Sequence, residues 1–291
     1  MTLGSVASPA VKISNSVQLD GNGYPSNVID SCSVSGGIRG VETVDSTVKL
    51  TNSTLDGQSG YGVHVNSTLS ASTMHAWIEK NLVVSAETPG NVGLFLFGNP
   101  DDEETDASAL VQNNTIHGWT RGIQTSTQFT GSTTPKYEPA IENNMVSASS
   151  VVGIDHQDYT YSRIAWNVSE EGFDPSAEGN NFVYPPLYCG SQESKVDEFT
   201  LRWDSPGAPG NLGAHALIGA KPVECAFDTL ARDVNLADGS DVLVLHDVFV
   251  PEDSTLTIGK GSTIRFDDTD ESANGGNGSV PRFLDSALMW S

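Results

Sequence analysis

The sequence predicts an all-β chain wound as a parallel β-helix, a solenoid of short stacked strands, on three observations. Six stretches share one template: an apolar residue, polar residues often containing Asn, then a second apolar residue. They begin at Ile29, Leu50, Ile78, Val111, Ile141 and Ile164, spaced by 21, 28, 33, 30 and 23 residues. Recurrence on that scale is the signature of a solenoid. Second, each stretch is followed by a Gly-apolar pair that opens a short alternating run, as in Gly62-Val63-His64-Val65. Third, residues 1–190 carry no helical periodicity.

Each repeat reads as two short strands and a bend. The first strand is the apolar-polar-Asn stretch; the second follows a glycine at Gly37, Gly62, Gly93, Gly122 or Gly153. That glycine is expected to supply a backbone conformation closed to other residues. Strands so short cannot stand alone, but stacked at about 4.8 Å per coil they form continuous parallel sheets. Asn81, Asn114, Asn144 and Asn167 share one template position, with Asn52 one place earlier beside Ser53. A buried Asn at a corner can bond backbone and the Asn above it, so these residues are read as a structural ladder. The ladder also accounts for the sequons at Asn52, Asn113 and Asn167. The longest loops are expected from Gly98 to Ala109 and from Thr125 to Pro139, and a two-turn helix around Ala226–Val234.

Alternation turns one residue of each second strand outward. Arg39, His64, Phe95, Gln124 and Asp155 are then expected as one exposed row, at one-coil steps. Cationic, aromatic and amide groups in a line can hold a saccharide by hydrogen bonds and stacking. The same residue types are also ordinary solvent-facing polar positions.

Near Asn180 the repeat gives way to Asn181-Phe182-Val183-Tyr184-Pro185-Pro186-Leu187-Tyr188, followed by Phe199-Thr200-Leu201, Ser205-Pro206-Gly207 and Ile218-Gly219-Ala220. This order resembles the closing segment of secreted right-handed parallel β-helix proteins of the pectate-lyase-like superfamily, as do the repeats of residues 11–170. The resemblance implies a right-handed coil and a secreted or cell-surface location. It departs at Pro185, where those proteins usually have Asp, and at Gly207, where they usually have Ala. After Cys225, Leu256-Thr257-Ile258 and Gly261-Ser262-Thr263-Ile264-Arg265-Phe266 look like the opening coils of another β-helix. The expected organisation is coils over 1–186, a closing segment over 187–232, and an incomplete second unit over 233–291. A chain that starts and stops in mid-pattern is expected to be a segment of something longer.

Thirty-seven acidic against 14 basic residues give a net charge of −23. Such a field opposes binding to nucleic acid and anionic lipid, and no apolar stretch reaches the ~18 residues of a membrane span. The acidic runs Asp101–Glu104 and Asp267–Glu271 lack the alternation and glycine of a calcium loop. Of three cysteines, Cys32 takes the ladder position and is expected to be a buried free thiol. Cys189 and Cys225 flank one segment, and an oxidising compartment favours joining them.

Catalytic signatures are sparse. No Gly-x-Ser-x-Gly, phosphate loop or dinucleotide fingerprint occurs. Nor does the Asp-Asp, Gly-His-Gly and Arg-x-Lys set that the superfamily's polygalacturonases carry. The expectation is a structural or adhesive surface module that binds extracellular polysaccharide, with no cofactor and no metal site. The alternative is a polysaccharide lyase or glycoside hydrolase on the Arg39–Asp155 row, for which Ca2+ would be the natural counter-ion to an acidic substrate.

Overall fold

The computed structural model describes residues 9–67, 74–86, 89–98, 106–127, 136–156, 163–174, 180–189, 199–202, 205–209, 211, 217–225, 233–236, 238–244, 250, 252 and 254–266. The chain forms two compact units: residues 1–186 with 194–196 and 218–221, and the remainder from Leu187 onward.

The first unit is a parallel β-helix. Strand β1 (Pro9–Ser14) precedes a coil of β2 (Val28–Asp30), β3 (Ser33–Ser35) and β4 (Arg39–Val44). The second coil holds β5 (Val48–Thr51), β6 (Thr54–Gln58) and β7 (Tyr61–Ser67); the third holds β8 (Met74–Glu79), β9 (Leu82–Ser85) and β10 (Val92–Gly98). The fourth holds β11 (Asp106–Gln112), β12 (Thr115–His117) and β13 (Arg121–Thr127). The fifth holds β14 (Lys136–Glu142), β15 (Met145–Ser147) and β16 (Val152–His156). The sixth holds β17 (Arg163–Ala165), β18 (Val168–Ser169) and β19 (Phe173–Asp174), and β20 (Phe182–Val183) follows it. Stacking gives three sheets: sheet I (β2, β5, β8, β11, β14, β17), sheet II (β3, β6, β9, β12, β15, β18, β20) and sheet III (β1, β4, β7, β10, β13, β16, β19).

A full coil therefore has three strands, not two. The template stretch that reads as one strand is two, folded about a corner. At each corner one residue is left-handed: Ser31, Asn52, Lys80, Asn113, Asn143 and Trp166 have φ between 50° and 59°. The residue after it turns inward and carries the ladder. Asn114 Oδ1 accepts the Asn81 N–H at 3.0 Å, and Asn144 Oδ1 accepts the Asn114 N–H at 3.0 Å. Asn167 Oδ1 accepts the Asn144 N–H at 2.9 Å, and Asn181 Oδ1 the Asn167 N–H at 3.0 Å. In the other direction Asn81 Oδ1 takes the Ser53 N–H, and Ser53 Oγ takes the Cys32 N–H. Cys32 stands at the end of this line, with no strand above it in sheets I and II among the described residues, and its thiol is exposed, not buried.

The glycines ahead of sheet III act by size, not by dihedral angle. Gly62, Gly93, Gly122 and Gly153 are not left-handed. A Cβ on Gly40, Gly62, Gly93 or Gly122 would meet the carbonyl oxygen of the next glycine in the stack at 2.6 Å. Each would also strike an inward side chain from sheet II, such as Leu55, Ile116 or Val146. The glycine stack thus lets one corner of every coil close tightly on its neighbour.

Between the sheets lies one core. Leu50, Ile78, Val111 and Ile141 from sheet I, Leu55, Val83, Ile116 and Val146 from sheet II, and Val63, Leu94, Ile123 and Ile154 from sheet III are each fully buried. Like residues lie on like because the register pairs Leu50 with Ile78, Ile78 with Val111 and Val111 with Ile141. Trp119 fills the glycine corner, its indole N–H donating to the Val83 carbonyl at 3.2 Å.

Sheet II is covered on its outer face by residues 218–221 of the same unit. The Gly219 N–H donates to the Asn143 carbonyl at 2.8 Å and the Ala220 N–H to Thr115 Oγ1 at 2.9 Å. This explains why the outward Leu82 and Met145 are buried.

The expected long loops are shorter than the sequence implies, because β11, β13 and β14 extend into them; residues 99–105 and 128–135 lie outside those described. So do residues 226–232 of the expected helix, while Val234 opens a strand.

In the second unit β21 (Leu201–Arg202) pairs with β22 (Val223–Cys225). Strands β23 (Val234–Leu236) and β24 (Asp241–Val244) pair in parallel with β25 (Leu256–Ile258) and β26 (Thr263–Phe266). Both pairs are offset by 22 residues, as coils are. Cys189 is disulfide-bonded; the side chain of Cys225 lies outside those described.

Candidate functional site

The outer face of sheet III gathers most of the residues singled out from the sequence. Register builds its central row as Lys12, Glu42, His64, Phe95, Gln124, Asp155 and Asp174. Arg39 is not a member of this row, contrary to expectation: it pairs with Tyr61 in the row alongside, which continues through Val92, Arg121 and Val152. The expectation rests on Gly37 as the glycine of the first repeat. Gly40 is the one that stacks on Gly62, and the row residue lies two positions after each stacked glycine. That offset recovers Glu42 from Gly40 and Asp174 from Gly172, neither of which the repeat pattern singles out.

Arg39 still reaches the row through its side chain. Its Nη1 lies 2.6 Å from Glu42 Oε1, while Lys12 Nζ approaches Glu42 Oε2 at 3.5 Å. Glu42 is nearly buried, and the His64 Nδ1 lies 3.5 Å from its Oε1. Burial pulls the His64 imidazole below its ordinary value; Arg39 pushes the same way and Glu42 opposes both.

In the middle of the face three rings stack along the solenoid. Tyr61 and His64 have centroids 5.0 Å apart at 20°, and His64 and Phe95 are 5.3 Å apart at 17°. Arg39 lies over the Tyr61 ring, 5.7 Å from its centroid. The faces of these rings are therefore turned to one another. Phe97 stands outside the stack, 6.4 Å from Phe95 and tilted by 42°. It is half-buried, and its partners in register are Asn66 on one side and Ser126 on the other.

At the far end Gln124 Nε2 donates to Asp155 Oδ2 at 3.0 Å. Arg121 Nε lies 3.0 Å from the same oxygen as an ion pair, although its N–H is not aligned as a hydrogen bond. Burial raises the Asp155 carboxyl, and Arg121 works against that rise. Asp174 sits one coil further and is exposed.

His75, His117 and His156 do not join this face, and His215 and His246 lie outside the described residues. His75 and His117 are drawn down to about 4 by burial, and His117 Nδ1 meets Ser147 Oγ at 2.9 Å on sheet II. His156 ends β16 in register with Thr125, an inward residue. Among the described residues no group of three or more His, Cys, Asp or Glu is placed to hold a metal ion, and no helix is long and apolar enough to cross a membrane.

The chain matches no protein-family model, no curated protein and no solved structure. Its fold thus rests on its own register and core, and its site on the chemistry of sheet III.

Proposed function

We propose that this chain is a structural and adhesive module of the pectate-lyase-like kind, placed outside the cell or on its surface, and that sheet III holds extracellular polysaccharide. The observation that carries this is the setting of Phe97. It is the aromatic residue of the face whose ring is turned out of the stack, and an amide and a hydroxyl flank it at one-coil steps. An apolar ring face between hydrogen-bonding groups is the surface a pyranose requires. The polar end at Gln124 and Asp155 extends the row of possible contacts along the same sheet.

The test is binding of the chain to a panel of polysaccharides, followed by assay of the products. Saturable binding without chain cleavage, weakened about tenfold by Phe97→Ala, which corresponds to ~1.4 kcal/mol, is the expected result. Binding that ignores Phe97→Ala would remove the face from consideration.

A second reading is favoured by Asp155 and Asp174. A coil step of about 4.8 Å places neighbouring carboxyls close to the ~5–5.5 Å needed for retaining glycoside hydrolysis. The raised Asp155 carboxyl would suit the acid role. Glu42 and Asp155, in contrast, are four coil steps or about 19 Å apart and cannot act together. New reducing ends that vanish in Asp155→Asn would establish hydrolysis in place of simple binding.

A further inference from the structure

The charges of sheet III bear on which polysaccharide it takes, an inference that rests on reading this sheet as the glycan face. Among the described residues its outer rows carry three cations, Lys12, Arg39 and Arg121, and three carboxylates, Glu42, Asp155 and Asp174. Every cation is already engaged. Lys12 and Arg39 both turn to Glu42, at 3.5 and 2.6 Å, and Arg121 lies 3.0 Å from Asp155. Asp174 is the exception among the carboxylates: it is exposed, and its charged neighbour is another carboxylate, Asp155.

The intervening sequence has the same sign. The segments that follow β7, β10, β13 and β16 in the chain, residues 68–73, 99–105, 128–135 and 157–162, contain no Lys or Arg. They contain five acidic residues: Asp101, Asp102, Glu103, Glu104 and Asp158. A polyuronate or sulfated glycan carries negative charge on its sugar units. It would meet no uncommitted cation among the described residues of this face, an exposed carboxylate at one end, and the field of a chain of net charge −23. A neutral glycan loses nothing to that field, and its hydroxyls find the amides of Gln124 and Asn66 and the acceptor oxygens of the Asp155–Asp174 end.

We propose that sheet III is selective for neutral polysaccharide and rejects acidic polymers, with Asp174 a specificity-determining residue.

The experiment measures binding of the chain to soluble neutral glucan, mannan, galactan and xylan, and to polygalacturonate and alginate, at low ionic strength with a chelator present. At least one neutral polymer is expected to bind, with the acidic polymers at least tenfold weaker. Asp174→Lys, a change at an exposed site, should narrow that ratio at least tenfold while the circular dichroism spectrum stays the same. Stronger binding of the acidic polymers would overturn the selectivity and leave the glycan face standing. So would an unmoved ratio in Asp174→Lys, or acidic binding that appears on adding Ca2+ and equals the neutral. Failure of every polymer to bind would overturn the glycan face and this inference with it.

Discussion

A Cβ placed on Gly93 would stand 2.6 Å from the carbonyl oxygen of Gly122 and at the same distance from the Ile116 side chain. The contact repeats from Gly40 to Gly122, which makes a glycine at this point of each coil a condition of the stack. One contact is with backbone and cannot be relieved by a rotamer change.

Gly93→Ala is therefore expected to destabilise the solenoid by about 3 kcal/mol, at the upper end of overpacking costs. Thermal unfolding followed by circular dichroism reads it. Gly57→Ala is the control for backbone angle: it has φ 74° and only ordinary contact distance to its neighbours, so it should cost less, about 1 kcal/mol.

Asn114 is the centre of the ladder. Its Nδ2 donates to the Ile78 and Gln112 carbonyls and to Asn144 Oδ1, and its Oδ1 accepts from Asn81. Asn114→Ala takes the side-chain acceptor from the buried Asn81 N–H and a donor from the Ile78 carbonyl, and a loss of about 3 kcal/mol is expected from the desolvation of those groups. Asn114→Asp should be no better, because the new carboxylate keeps the acceptor but cannot donate to the two carbonyls. Chemical denaturation of the three proteins side by side checks both.

Burial dominates the titration of His64, and the pair Arg39–Glu42 adjusts it from opposite sides. Arg39 lowers the imidazole and Glu42 raises it, each secondary to burial. Arg39→Ala should therefore move the His64 midpoint up and Glu42→Gln should move it down, as measured by NMR titration of the ring protons. A shift in the same direction for both would contradict the geometry at 2.6 and 3.5 Å.

Stability should rise with pH from about 4 to 6.5. Burial lowers His75 and His117 from 6.5 to about 4, so the unfolded chain binds more protons in that interval. The stability they contribute is complete above 6.5 and is lost as pH falls through 4. His75 alone accounts for about 3 kcal/mol at 1.36 per unit. Glu171 acts the other way: burial raises it from 4.5 to about 7, so its contribution is present below 4.5 and lost as pH rises through 7. It is half-exposed, and solvent screening reduces its effect to about 1 kcal/mol. The histidines prevail below 6.5, and a shallow decline follows toward 7. Melting temperatures from pH 4 to 8 check the shape, and His75→Phe should flatten the acid limb.

The inward residues are legible in the amino-acid sequence. Ile78, Val111 and Ile141 announce themselves by alternation, and the Asn positions by their fixed place in the template. Less legible is the strand count per coil, because the left-handed corner at Asn113 or Lys80 leaves no mark that separates two strands from one. The place of Arg39 is obscured for a related reason. Gly37 and Gly40 are both followed by an apolar residue, and nothing local says which of them stacks on Gly62. Phe97 does not stand out because its neighbours in sequence are apolar, and its polar neighbours Asn66 and Ser126 belong to other coils.

Composition and repeat pattern suffice to establish that this chain is all-β, that it stacks in parallel, and which side chains fill its interior. Those properties follow from alternation within a few residues, where each side chain's face is decided by its immediate neighbours. The membership of the outer row, the mutual stacking of Tyr61, His64 and Phe95, and the covering of sheet II by residues 218–221 come from the assembled coils. Connecting segments of unequal length separate those residues along the chain, and only the fit of glycine on glycine and Asn on Asn fixes how far each coil slides against the next.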